Sequence, residues 1–404
     1  MGGYVHKPVT WNREAATLWT AGLREAATKL CLEALDADPD PDADAFIQPG
    51  FYLFQLDRFD VATAVLERGV EKFPDHPMIL LSLGSSYSRW RRHRQAIPLL
   101  ERFLALGIVD ASAYDALAMS CSATGDTIRA RLFGTLALNE KDALTKDRHG
   151  SPNLNLRRKP GNKPKIISFS LFGSHPRYLR GALQNVIAAR TLYPGWTCRF
   201  IVDDSVDATF CAVMADEGAE IVHDSSGDTD VRHRLTRRFL VADDLAVGYF
   251  MVRDCDSVVS PREAAAVTKW LASGLPFHAM RDWYTHTDPL LAGMWGGVAG
   301  VFPDMAGTIA TFRQSTPLNT NWDQFFLRDQ IWPAIRDDVL VHDRYFSANR
   351  AQPFPTATPP GEEHVGQNEY ASDESAQAAA LAAYADRIPA LALPCSVKLD
   401  FKLG

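Results

Sequence analysis

The first third of the chain repeats on itself about every 34 residues. Small residues recur at Ala27, Ala62, Ala96 and Ala130, spaced 35, 34 and 34. Gly50 with Leu53, Gly84 with Tyr87, and Ala118 with Cys121 precede the later three at matching offsets. Ala34, Gly69, Phe103 and Ala137 each follow by seven residues, and Pro39 and Pro74 close the first two units. Four repeats fit, at about 8–42, 43–76, 77–110 and 111–144. A period of this length means stacked supersecondary units, none of which buries its apolar face alone. Small residues let two antiparallel helices approach. Leu53, Leu66, Tyr87 and Leu100 fill the space between them. Proline ends the second helix, because its ring clashes with the preceding turn.

The pattern resembles the tetratricopeptide repeat, whose unit is a helix pair. Leu53 stands where that family prefers an aromatic, and Phe103 is larger than its usual residue. The resemblance implies an α-solenoid over residues 1–144 with a concave face that holds a peptide or protein. The array is therefore expected to dock a protein acceptor or an assembly partner. Arg89, Trp90, Arg91, Arg92, His93 and Arg94 fall at the turn inside the third repeat, either as a solvated turn or as a contact for an acidic partner.

Residues 145–164 crowd Pro, Gly, Asn and basic side chains, and read as a linker. From residue 165 to 404 the texture is α/β. Strands are expected at Lys165–Gly173, Thr197–Asp204, Ala219–Asp224 and Gly248–Ser257. Helices are expected at Pro176–Pro194, Phe210–Gly218, Leu235–Asp244 and Pro261–Leu271. That alternation predicts a parallel sheet. Ligands of open α/β sheets lie beyond the carboxyl ends of the strands, where Asp203, Asp204, Asp254 and Asp256 all fall.

Arg253-Asp254-Cys255-Asp256-Ser257 is the central motif. An apolar strand delivers two carboxylates, i and i+2, to the loop after it. An all-oxygen site of this kind suits Mg²⁺ or Mn²⁺. A bare DxD is common; here a strand precedes it and a helix follows. The stretch Arg237–Leu271, followed by His278–Gly297, resembles bacterial glycosyltransferases of the GT-A fold, over about residues 163–370. The resemblance implies a nucleotide diphosphate sugar as donor and a divalent metal as cofactor. It places Asp254 and Asp256 on metal and diphosphate, and Ser170 and Phe172 of the first strand along base and ribose. Asp203 and Asp204 would read base or ribose, and Arg237 or Arg238 the diphosphate. His364, in a His-x-Gly where the family has His-x-x-Gly, is the implied third metal ligand, with His342 competing.

The later block supplies the acceptor side. Arg281, Asp282, His286 and Asp288 are polar residues in an apolar stretch, and Gly293, Gly296 and Gly297 around Trp295 permit close backbone approach. Trp283 and Trp295 are expected to stack on a sugar. Asp282, then Asp329, is the expected base if the reaction inverts; a retaining enzyme needs none. Residues 352–363 read as a Pro-rich loop crossing the site, 373–386 as an Ala-rich helix, and Ser396–Phe401 as an edge strand.

Composition narrows the classes. A chain of 404 residues holds two or three domains, and 46% hydrophobic with 23% charged residues is a globular balance. A net charge of −7 argues against nucleic-acid binding, and no apolar run reaches the ~18 residues of a membrane span. Six cysteines without CxxC are expected as reduced thiols. No secretory leader, P-loop, GxSxG elbow or GxGxxG is read. The expected setting is cytoplasmic, peripheral attachment at the inner membrane face included. A nucleotidyltransferase on a similar fold and a non-catalytic repeat scaffold are the rival readings.

Overall fold

A computed structural model describes residues 9–146, 152–316, 321–367 and 381–392. Cys395, the expected edge strand and residues 373–380 of the Ala-rich helix lie outside them; 381–385 are helical. The chain forms two compact units, Met1–Leu144 with Tyr284–Thr287, and Thr145–Trp283 with Asp288–Gly404.

The first unit is four helix pairs: α1 (Arg13–Thr20) and α2 (Arg24–Ala37), α3 (Ala43–Gln55) and α4 (Phe59–Lys72), α5 (Pro77–Arg89) and α6 (His93–Ala105), α7 (Ala111–Ala123) and α8 (Thr127–Ala143). Asn12, Asp42 and Asp126 cap three of these helices, each accepting the backbone N–H three residues on at 3.0 Å. Ala27, Ala62, Ala96 and Ala130 are fully buried. Gly50 packs on Leu66 and Gly84 on Leu100 so closely that an added Cβ would lie 2.8 and 2.6 Å from those side chains. Leu53 and Phe103, the two departures, are both buried in the core. At the cationic turn, Arg91 adopts φ +61°, and the Trp90 ring lies 4.8 Å from the Arg92 guanidinium.

The second unit is a seven-stranded sheet flanked by helices. Its strands are β1 (Lys165–Leu171), β2 (Trp196–Val202), β3 (Glu220–His223), β4 (Tyr249–Val252), β5 (Phe277–Arg281), β6 (Trp295–Val298) and β7 (Val339–Asp343), in the order β3-β2-β1-β4-β6-β5-β7. The sheet is mixed, which corrects the all-parallel expectation: β6 runs antiparallel to β4 and β5. Two cores cover the two faces, one built on Phe169, Phe200, Phe210 and Trp270, the other on Phe239, Phe250, Trp295 and Trp332. The principal helices are α9 (Pro176–Leu192), α10 (Ala208–Asp216), α11 (Val231–Thr236), α12 (Pro261–Ser273) and α13 (Met305–Ser315). The expected helix at Leu235–Asp244 is instead the end of α11 and a 3-10 coil, Arg237–Asp243. Ser170 Oγ takes the Arg238 N–H at 2.9 Å, diverting it from a helical carbonyl.

Candidate active site

The sheet reverses direction beside β1: β2 and β3 extend to one side, and β4 pairs on the other. At such a switch point the loops after neighbouring strands diverge and leave a crevice at their carboxyl ends. Leu171 and Val252 end β1 and β4 here, so Ser170, Phe172 and the acidic loop 253–257 share one rim.

That loop is built from below. Arg253 N–H donates to the Ser168 carbonyl at 3.0 Å, and Cys255 Sγ to the Ser170 carbonyl at 3.2 Å. Asn185 of α9 donates to the Ser257 carbonyl and accepts from Val259 N–H, both at 3.0 Å. The buried Arg253 guanidinium donates to the Gly293 carbonyl at 3.0 Å and to Glu263 at 3.1 Å. Tyr193 donates to the same Glu263 oxygen at 2.9 Å. Burial raises the Glu263 pKa and the neighbouring Arg253 opposes it. Gly181 and Gly293 complete the cradle: a Cβ on Gly181 would overlap the Cys255 carbonyl, and one on Gly293 the Asp254 carboxylate.

The two carboxylates differ. Asp254 is outward, its side chain 45% exposed, and pairs with Arg238. Asp256 is inward, 13% exposed, and pairs with Arg177. Arg238, only 5% exposed, also holds Asp323 at 3.0 Å. Burial first, then the charge on Asp254, raises the Asp256 pKa, with Arg177 opposing. Burial likewise raises Asp323.

Beside this pair lies a second ionic network. Arg237 bridges Asp203 at 3.1 Å and Asp224 at 3.0 Å, and Arg234 reaches Asp203 at 2.9 Å. Burial pushes Asp203 up, but Ser205 hydrogen bonds and the two arginines leave it below its ordinary value. Hydrogen bonds from Ser226 and His233, with the Arg237 charge, outweigh burial at Asp224 and hold it at about 2. Asp203 is therefore paired within its own chain, by Ser205, Arg234 and Arg237, while Asp204 is exposed. Arg237 belongs to this network and Arg238 to the acidic loop. Arg234 stands over the half-buried Phe172 ring, 5.5 Å from its centroid.

Several expected site residues sit elsewhere. Trp295 is 1% exposed, packed against Phe239 and Phe250, so it cannot stack on a sugar. Gly296 is a central strand residue, where a Cβ would lie 2.5 Å from the Phe250 carbonyl; the close approach is between strands. Asp282 is fully buried, gripped by the Arg262 fork at 2.9 and 3.0 Å and by Val365 N–H at 2.9 Å. It ties α12 to Val365, just past the Pro-rich segment, and Arg262 also donates to Thr356 and Ala357 within that segment. Arg281 pairs with Asp343 at 2.6 Å, both buried. Asp329 lies in a π-helical turn, Leu327–Ile331, buried against Arg328 at 2.6 Å. A buried carboxylate is costly without a partner, and each of these three acids has an arginine.

The metal reading rests on the donor set. Asp254 and Asp256 offer carboxylate oxygens from one loop, and a hard cation commonly takes one or two carboxylates with substrate phosphates completing its shell. They fit that arrangement. Among the described residues, no group of three or more His, Cys, Asp or Glu is placed to hold a metal. His364 instead stacks on Trp283, ring centroids 4.6 Å apart. His342 is buried on β7 with its Nδ1 2.8 Å from His278 Nε2, three strands from β4. Arg177 and Asp323 were not anticipated. Arg177 follows Pro176 in the first turn after β1, a position that borders the crevice in any sheet of this type; Asp323 carries no comparable local sign.

No protein-family model matches the sequence, and no curated protein sequence matches it. Among solved structures, MamA from MSR-1 is 20% identical over 35% of this chain and 82% of that one, with a TM-score of 0.30. MamA from Desulfovibrio magneticus RS-1 is 19% identical over 35% and 81%, with 0.31. A thermophilic TPR protein of Thermus thermophilus is 19% identical over 34% and 78%, with 0.28. By its own helix pairs the first unit is a tetratricopeptide-like repeat array, and the second is a mixed α/β sheet domain.

Proposed function

We propose that the second unit is a GT-A-like glycosyltransferase domain that moves a sugar from a nucleotide diphosphate sugar to a hydroxyl of a glycan or protein. The repeat array would dock that protein acceptor or a partner. The observation that carries the reading is the placement of Asp254 and Asp256 at the carboxyl end of β4, beside the sheet's switch point, with two arginines facing them. In the reaction the bond from the anomeric carbon to the β-phosphate oxygen breaks and a bond to the acceptor oxygen forms. The nucleoside diphosphate leaves with the bonding pair, and the acceptor's proton passes to a base or to water. A bound Mn²⁺ or Mg²⁺ supplies charge neutralisation to the departing diphosphate. Asp254 and Asp256 would hold that cation, and Arg238 and Arg177 would meet phosphate oxygens, which suit a guanidinium fork. Phe172, with Arg234 over it, would border the base.

The test is product analysis. Purified protein is given a panel of nucleotide sugars with Mn²⁺ or with EDTA. Metal-dependent release of a nucleoside diphosphate, lost in Asp256→Asn, is the expected result. Release of pyrophosphate would move the reading to a nucleotidyltransferase. A non-catalytic scaffold is favoured by one observation: Asp282 and Asp329, the two expected bases, are both committed to buried ion pairs. No turnover with any donor, alongside capture of a partner by the array, would establish it.

A further inference from the structure

The two arginines at the acidic loop are held in unlike ways. Arg238 is buried and fixed on three sides, by Asp254, by Asp323 at 3.0 Å and by the Arg253 carbonyl at 3.3 Å. Arg177 stands at the start of α9, 23% exposed, with its guanidinium on Asp256 Oδ2 and 5.2 Å from the centroid of the Tyr178 ring. Its base is anchored, since its own N–H donates to His175 Nδ1 at 3.2 Å. Asp256 is the more buried acid of the motif, so of the two carboxylates the one better placed to hold a cation out of bulk water is the one that Arg177 covers.

A divalent cation approaching Asp256 by itself must displace a positive charge from it, and like charges at contact distance repel strongly where water is scarce. A diphosphate changes that balance. It offers the guanidinium a bidentate partner. We propose that Arg177 is a latch on Asp256: it keeps the carboxylate closed to a divalent cation until a diphosphate draws the guanidinium away, so that cation and diphosphate enter as a pair. This rests on reading the crevice as a diphosphate site, and it deepens that reading by fixing how the site is regulated.

The probe is Mn²⁺ alone, titrated into the full-length protein and followed by the loss of its free-ion EPR signal. Arg177→Gln is expected to bind Mn²⁺ at least tenfold more tightly than wild type. Arg177→Lys, which keeps the charge, should stay near wild type, and Arg177→Gln with Asp256→Asn should lose the gain. Arg177→Met serves if the glutamine variant melts early. In a parallel arm, wild type is melted with inorganic pyrophosphate plus Mn²⁺ and with pyrophosphate plus EDTA. Unchanged Mn²⁺ affinity in both uncharged variants overturns the latch; if pyrophosphate with Mn²⁺ still raises the melting temperature of wild type, the diphosphate site stands without it. A gain that survives Asp256→Asn also overturns the latch, because Asp256 is then not what Arg177 covers. Absence of Mn²⁺ binding and of any shift in every protein removes the latch and the diphosphate site together.

Discussion

Gly181 shows how a single missing Cβ positions a pair of carboxylates. The Cys255 carbonyl occupies the space where that atom would stand, so Gly181→Ala must push the loop off α9. The expected cost is about 1–3 kcal/mol, as for other overpacked sites, with a weaker response to pyrophosphate and Mn²⁺; differential scanning calorimetry reads both. A second residue-scale consequence concerns pH. His278 and His342 are buried against each other, and burial lowers both pKa values, His342 to about 4. Unfolded histidine titrates near ~6.5, so between these values the unfolded chain binds more protons and stability rises with pH. The neutral pair therefore supports the fold fully above about pH 6.5 and loses that support as pH falls. For His342 alone the loss between pH 7 and pH 5 is about 2 kcal/mol. Melting temperature measured across that range should fall, and His342→Gln should flatten the slope. At this scale the acidic pair was legible because an apolar strand ran straight into it. Arg177 was not, because its tie to Asp256 spans 79 residues and follows no local period.

Elements of the repeat array were readable because each repeat restates the same packing problem. Gly84 faces Leu100 just as Gly50 faces Leu66, one repeat earlier. Gly84→Ala would set a Cβ 2.6 Å from Leu100 Cγ, and should lower the melting temperature of the helical transition, seen by circular dichroism, by the equivalent of about 1–3 kcal/mol. The sheet was legible in β1 to β4, where apolar runs alternate with helices. It failed at β5, β6 and β7, none of which reads as a strand; at β6 the sequence is Trp-Gly-Gly-Val. Two glycines weaken a strand's intrinsic preference, and they read as ligand contacts. Their actual use is to let β4 and β5 close on either side: a Cβ on Gly297 would lie 2.6 Å from Phe277. Glycine inside a strand marks close backbone approach, and that sign pointed to a neighbouring strand here instead of a sugar. The same tertiary override moved Trp295 from a stacking platform to the core.

At the scale of the whole molecule, two units of different construction share one chain: a repeat array suited to proteins and a sheet domain with an acidic crevice. No helix among the described residues is long and apolar enough to cross a membrane. The central claim is that the crevice takes a nucleoside diphosphate with a divalent cation. Asp256→Asn keeps the size of the side chain and an amide oxygen for Arg177; the melt of the unliganded variant checks that it still folds, with a loss of a few degrees at most expected from the broken ion pair. The most direct measurement is a thermal-shift panel of nucleoside diphosphates on wild type and Asp256→Asn, each with Mn²⁺ and with EDTA. A ligand at about 100 times its dissociation constant adds about 2.7 kcal/mol. The account predicts that one nucleotide stabilises wild type with Mn²⁺ only, and that Asp256→Asn loses the shift. Equal stabilisation in EDTA, or in Asp256→Asn, would contradict it.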